Sequence, residues 1–133
     1  MRASAVALCA ILALGCDTST EPVGQLTFAR DVDNTGLPGL NVAPGTIEHR
    51  GTFYLPCVPY QTRAQLAERG AGLVEIHIVG ELGVGCFDMV GQTAYVARVT
   101  ALPSGPYTLR VIHSWPQTGR TADTVVTLSV AVP

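Results

Sequence analysis

The stretch Ala101-Leu102-Pro103-Ser104-Gly105-Pro106-Tyr107-Thr108-Leu109-Arg110-Val111-Ile112-His113-Ser114-Trp115 decides the fold, because a sharp corner in it leads into a strongly patterned strand. Pro103 and Pro106 fix φ and lack a backbone N–H, and Gly105 tolerates a positive φ, so the chain turns before Tyr107. Apolar and polar residues then alternate with a period of two, which is typical of a strand with one buried face. The predicted inward residues are Tyr107, Leu109, Val111, His113 and Trp115.

The same alternation recurs along the chain after residue 24, in segments roughly ten residues apart. Segment 61–69 also contains good helix formers, but a Gly-rich turn and the β-rich run 73–79 follow it, which favours a strand in a hairpin. Segment 92–102, in which Ala101 is the last predicted inward residue, is expected to pair antiparallel with the strand that follows the corner. The other predicted strands are 25–32, 51–57 and 125–132.

These segments predict an all-β chain that forms a two-sheet antiparallel sandwich of about seven strands. Residues 102–111 resemble the L-P-x-G-x-Y-x-L-x-V corner and strand of bacterial immunoglobulin-like and carboxypeptidase-regulatory-like sandwich domains. The resemblance implies an immunoglobulin-like fold in which the Tyr107 hydroxyl hydrogen-bonds back to the corner. Leu109 stands where antibody-type domains have their second Cys, so their usual inter-sheet disulfide is not expected. Such domains serve adhesion, spacing and ligand display.

The charge of the chain points to no polyanionic partner. Its 133 residues carry a formal net charge of −2, and all eight basic residues are Arg. Neither sign of charge forms a run, so no nucleic-acid surface is predicted. The length suits a single domain with its own core.

The N-terminus has the features of an export signal. Met1-Arg2 is followed by the uncharged segment 3–15, which is too short to span a bilayer by itself. Gly15-Cys16 and the polar residues after it resemble the lipobox of bacterial lipoproteins, which implies that Cys16 is acylated and becomes the first mature residue. The predicted organisation is a signal peptide at 1–15, a lipidated Cys and flexible tether at 16–24, and a β-sandwich domain at 25–133, anchored by lipid to a membrane of the bacterial cell envelope.

The segment that precedes Cys16 departs from the lipobox pattern at two positions. Ala13 and Leu14 stand where the family prefers Leu and a small residue, respectively. Cleavage by an ordinary signal peptidase, or an uncleaved anchor, therefore remains an alternative.

Cys57 and Cys86 are the two cysteines left after the signal, and export places them in an oxidising compartment. A disulfide between them would close a loop of about thirty residues and contribute roughly 3–4 kcal/mol in the chain-entropy model. Neither belongs to a C-x-x-C pair or has a His at ligand spacing, which disfavours a metal site.

Three histidines are the candidates for chemistry. His49 is expected in a loop, and His113 is expected to be half-buried beside Trp115. Glu75 and His77 share a strand face and are predicted to be a polar pair, because two ligands do not make a metal site. No nucleophile elbow, paired-carboxylate motif or phosphate loop is found, so no catalytic residue, cofactor or metal is assigned.

The function expected from the sequence is a non-enzymatic binding or structural role, in adhesion or display, with an unspecified protein or glycan ligand. Its contact surfaces are expected to be the loops 33–45 and 80–91 at one end of the sandwich, and any exposed sheet edge. The candidate aromatic patch is Tyr54, Tyr60 and Phe87, although the favoured interpretation is that these rings only cover the disulfide. The alternative function is a small metal-dependent hydrolase or metal-binding protein using His77 and Glu75.

Overall fold

A computed structural model describes residues 24–31, 38–55, 58–70, 72–87 and 91–133. These residues form two four-stranded sheets that pack face to face. The described residues include no helix, and therefore no helix that could cross a membrane. The chain is all-β, which agrees with the predicted sandwich. Its strands are β1 (Gln25–Asp31), β2 (Gly39–Ala43), β3 (Thr46–Leu55), β4 (Val58–Gly70), β5 (Leu73–Phe87), β6 (Gly91–Thr100), β7 (Gly105–Trp115) and β8 (Arg120–Val132).

The strand order is β1-β6-β3-β2 in sheet one and β4-β5-β7-β8 in sheet two. Strand β2 lies against β8, and β1 lies against β4, where the edges of the two sheets meet. All pairs are antiparallel except β5 and β7, which are parallel. The prediction of wholly antiparallel pairing is therefore wrong, because β6 crosses to sheet one between β5 and β7.

The corner joins the two sheets. Strand β6 ends in sheet one and β7 begins in sheet two, so the expected antiparallel pairing of these strands is wrong. Ala101 takes a φ of 59° and is exposed rather than inward. This turn buries Leu102, whose N–H donates to the Gly45 carbonyl at 3.1 Å. The Tyr107 hydroxyl donates to the Pro103 carbonyl oxygen at 2.9 Å, which confirms the predicted bond to the corner.

Replacing Tyr107 by Phe is expected to cost about 1 kcal/mol of unfolding free energy, because the Pro103 carbonyl loses its donor while the ring keeps its packing. Urea denaturation measures this loss. Tyr54→Phe is the matched control, since the Tyr54 hydroxyl makes no hydrogen bond to the described residues. Equal stability of Tyr107→Phe and the native chain would contradict a stabilising role for this bond.

The core fills the space between the sheets and draws on both. All five predicted inward residues of β7 are buried, and His113 is more deeply buried than expected. The largest fully buried side chains are Trp115, Tyr95, Phe53, Ile47, Ile76, Ile78, Leu109, Val99 and Val111.

Three regions expected to be loops contain strand. Residues 39–43 form β2, residues 80–87 continue β5, and His49 lies within β3. The pairing of β3 with β6, which begins at Ile47 opposite Val99, explains the earlier start of β3. The inward positions of β3 include His49 and Gly51, and these interrupt the apolar alternation that would reveal the strand.

Candidate ligand-binding cleft

A cleft of about 600 Å³ opens between the sheets on the side where β2 lies against β8. Its volume is within the range of small-molecule sites in proteins. Its lining is contributed by β2, β3 and β6 of sheet one, by β7 and β8 of sheet two, and by Pro38. The side chains that define it are His49, Tyr95, His113, Tyr54, Trp115, Arg120, Asp123, Leu40, Val125, Val126 and Leu128.

The floor of the cleft is a hydrogen-bonded group of three buried side chains from three strands. The Tyr95 hydroxyl of β6 lies 2.9 Å from His113 Nε2 of β7 and 3.4 Å from His49 Nδ1 of β3. One tyrosine therefore links the two sheets through a polar contact. The other ring nitrogens, His49 Nε2 and His113 Nδ1, have no hydrogen-bond partner among the described residues.

Gly51 makes room for this group. It lies opposite Tyr95 in the pairing of β3 with β6. A Cβ at this position would lie 2.7 Å from the Tyr95 hydroxyl oxygen and 3.0 Å from His49 Cε1. A glycine inside a strand often marks such a close approach, so Gly51 is the signal in the sequence that could have located the floor.

Burial keeps the floor uncharged at neutral pH. It lowers the pKa of His49, and it lowers the pKa of His113 to about 4, where repulsion from His49 adds to the effect and Asp123 opposes it. Burial also raises the pKa of the Tyr95 hydroxyl. The floor can therefore donate and accept hydrogen bonds without carrying charge.

Arg120 forms one side of the mouth. Its guanidinium carbon lies 4.4 Å from the Trp115 ring centroid and 5.0 Å from that of Tyr54, as in cation–π pairs. The indole N–H of Trp115 donates to the backbone carbonyl of Tyr54 at 2.9 Å, which fixes the indole relative to β3. Within the described part of the chain, no carboxylate forms an ion pair with Arg120.

Apolar side chains from β2, and from β8 beyond Arg120, form another part of the lining. Leu40, Val125 and Leu128 line the cleft and are 36, 42 and 46 % exposed, respectively. Leu128 pairs with the buried Leu109 on β7. Because paired residues share one face of a sheet, Leu128 lies on the face of sheet two that is turned toward sheet one. Its exposure shows that the cleft leaves part of this inward face uncovered. Large exposed apolar residues are thus concentrated here, since only Leu82 and Val84 are found elsewhere among the described residues.

The predicted pair Glu75 and His77 lies outside the cleft, on the outer face of sheet two. Glu75 Oε1 is 2.8 Å from His77 Nε2, and Glu75 Oε2 accepts from Arg110 Nη1 at 2.9 Å. Burial raises the pKa of the Glu75 carboxyl, but the hydrogen bonds to His77 and Arg110 outweigh it and lower the pKa overall. Both carboxylate oxygens already have partners, and the described residues contain no group of three metal-ligating His, Cys, Asp or Glu side chains.

Sheet one carries a similar charged group on its outer face. The buried Glu48 carboxylate accepts from Arg98 and from Arg50, the latter at 3.0 Å between Nε and Oε1. These hydrogen bonds lower the pKa of Glu48, and the bond from Arg98 has the larger effect. Arg50 also lines the cleft, but its charge is already paired, which leaves Arg120 as the unpaired cation among the described residues that line it.

Most of the other predicted site residues lie at the limits of the described chain. Residues 1–23, with Cys16, fall outside it, as do Cys57 and parts of the two predicted loops, residues 33–37 and 88–90. Tyr54 lines the cleft, whereas the side chains of Tyr60, Cys86 and Phe87 are outside the description. Val58 pairs with Phe87, so the residues that follow the two cysteines are neighbours, and the disulfide stays a prediction.

Comparison of the chain with protein-family models, with curated proteins and with solved structures finds no match. The cleft is therefore the feature of the molecule from which a function can be inferred.

Proposed function

We propose that the protein is a lipid-anchored, extracytoplasmic domain with an immunoglobulin-like fold that binds a small ligand in the cleft between β2 and β8, without catalysis. The observation that carries this proposal is the cleft's division into an uncharged polar floor, an apolar side and a cation stacked on two aromatic rings. Ligand sites typically combine apolar walls with a few polar groups that fix orientation. The Tyr107 bond to the corner supports the immunoglobulin-like assignment.

The chemistry of the lining favours binding over the alternative of a hydrolase. His49 and His113 are uncharged at neutral pH and both contact Tyr95, so each imidazole is engaged with a weak acid rather than with a nucleophile. The alternative based on Glu75 and His77 requires carboxylate oxygens that Arg110 and His77 already occupy. These residues serve better to hold sheet two together.

The anchor is the second part of the proposal. Acylation of Cys16 would hold the domain at a membrane surface, because each buried methylene of the acyl chains contributes about 0.8 kcal/mol. In a bacterial host supplied with an alkyne fatty acid, the full chain is expected to take up the label and sediment with membranes. Cys16→Ala is expected to lose the label, while Cys9→Ala, the matched control inside the signal, keeps it. Unlabelled native protein would contradict the anchor.

The cleft is tested with a neutral probe and the single tryptophan. Trp115 is the only Trp of the chain and lies in the cleft, so N-phenyl-1-naphthylamine bound there is expected to receive energy from it. Leu128→Asn should weaken probe binding roughly fivefold through loss of apolar contact. Val84→Asn is the control, since Val84 is fully exposed and does not line the cleft. Absence of energy transfer, or equal effects of the two variants, would contradict a ligand site here.

A further inference from the structure

We infer that the ligand is a small anionic amphiphile, an alkyl carboxylate whose head group binds Arg120 and whose tail lies along Leu40, Val125 and Leu128. This inference rests on the proposed binding function and adds the chemistry of the ligand.

The head group follows from how Arg120 is held. The guanidinium carbon of Arg120 lies over the rings of Trp115 and Tyr54, whereas its N–H donors lie in the plane of the group. None of these donors is hydrogen-bonded to a described residue. A planar carboxylate can accept from two of them at once, which is the geometry that guanidinium groups favour. The contacts with the two rings therefore leave the donors of Arg120 available to an acid.

The charges of the lining place the anionic head group. Arg50 is already paired with Glu48, and the two histidines are uncharged at neutral pH, so Arg120 is the cation and Asp123 the carboxylate that remain in the described lining. Asp123 pairs with His113, and Arg120 pairs with Trp115 at the next inward position of β7. Asp123 disfavours an anion above the floor and so places the head group at the Arg120 end.

The tail follows from the apolar side of the mouth. Val125 lies five positions after Arg120 on β8, which is at most about 16 Å at the rise of an extended strand. A short acid would contact only the Arg120 end, whereas a long alkyl chain reaches the exposed side chains of Val125, Leu128 and Leu40. Burial of each added methylene is expected to tighten binding, by up to about fourfold per methylene.

The test uses the full chain with Cys16→Ala, which removes the acyl anchor and allows work without detergent. Displacement of N-phenyl-1-naphthylamine compares dodecanoate, dodecanol and dodecylammonium, which share a tail, with acetate, which has only the head. Dodecanoate is expected to bind at least tenfold more tightly than the other three. Octanoate and decanoate should fall in order between acetate and dodecanoate.

Variants then assign the head-group site. Arg120→Gln is expected to weaken dodecanoate binding at least tenfold, because it removes a charge-assisted hydrogen bond, while dodecanol binding stays unchanged. Arg120→Lys should restore part of the preference for the acid. Arg63→Gln is the control, since Arg63 is paired with Glu81, outside the cleft.

The outcomes separate this inference from the proposed function. If dodecanol or dodecylammonium displaces the probe as well as dodecanoate, or if Arg120→Gln keeps the preference for the acid, the anionic ligand is wrong and the cleft remains a binding site. If the native cleft binds neither the probe nor any amphiphile, the binding function itself is wrong.

Discussion

Trp115→Ala is expected to lower the unfolding free energy by about 4 kcal/mol, the largest effect of any single truncation proposed for this domain. The indole is 2 % exposed, and its ring centroid lies 5.1 Å from that of Phe53. The truncation opens a cavity, leaves the Tyr54 carbonyl without its donor, and removes one of the two rings beneath Arg120. Because domain stabilities are about 5–15 kcal/mol, this loss is a large fraction of the total.

Urea denaturation followed by circular dichroism measures the loss, since the variant has no Trp fluorescence. Trp115→Phe is the matched control: it keeps an aromatic ring against Phe53 but not the indole N–H, and is expected to cost about half as much. A loss below about 1 kcal/mol for Trp115→Ala would show that the cleft end of the core carries little of the stability.

Acid is expected to destabilise the domain by about 3 kcal/mol through His113. In the unfolded chain this imidazole takes up a proton near its ordinary pKa of 6.5, whereas burial, with repulsion from His49, lowers its pKa in the folded domain to about 4. Between these values the unfolded state binds more protons. Stability is therefore fully present above about pH 6.5 and is lost as the pH falls toward 4.

The measurement is the urea midpoint as a function of pH for the native chain and for His113→Phe. The variant is expected to lose most of the slope between pH 6.5 and 4, whatever its stability at neutral pH, and His49 supplies part of the remainder. Val84→Asn, which lies outside the cleft and changes no titratable group, should keep the slope. Parallel curves for the native chain and His113→Phe would show that protonation of His113 is not the cause.

The sequence reveals the elements whose pattern is local. The corner and the face of β7 were predictable because two prolines, a glycine and five alternating residues lie within fifteen positions. The strand at 61–69 was predictable from the hairpin turn that follows it, although its composition also suits a helix. In each case the physical cause lies within a few residues.

The cleft was not predictable in this way, because its parts come from five strands of two sheets. His49 and Gly51 face the core, yet a polar residue and a glycine at inward positions look like a break in the strand. Arg120 follows a turn, and nothing in its neighbourhood shows that its guanidinium lies over Trp115 and Tyr54. The parallel pairing of β5 with β7 likewise depends on which sheet β6 joins, and the local sequence does not show this.

The contact between β2 and β8 has a consequence for the order of assembly. Strand β2 ends at Ala43 and β8 begins at Arg120, 77 positions later in the sequence. Strand β8 is also the last of the described strands. Closing so long a loop costs entropy before any contact repays it, so the two sides of the cleft come together late in folding. A ligand that touches both strands then binds only the completed fold. At a hundred times its dissociation constant it would add about 2.7 kcal/mol to the stability of the domain.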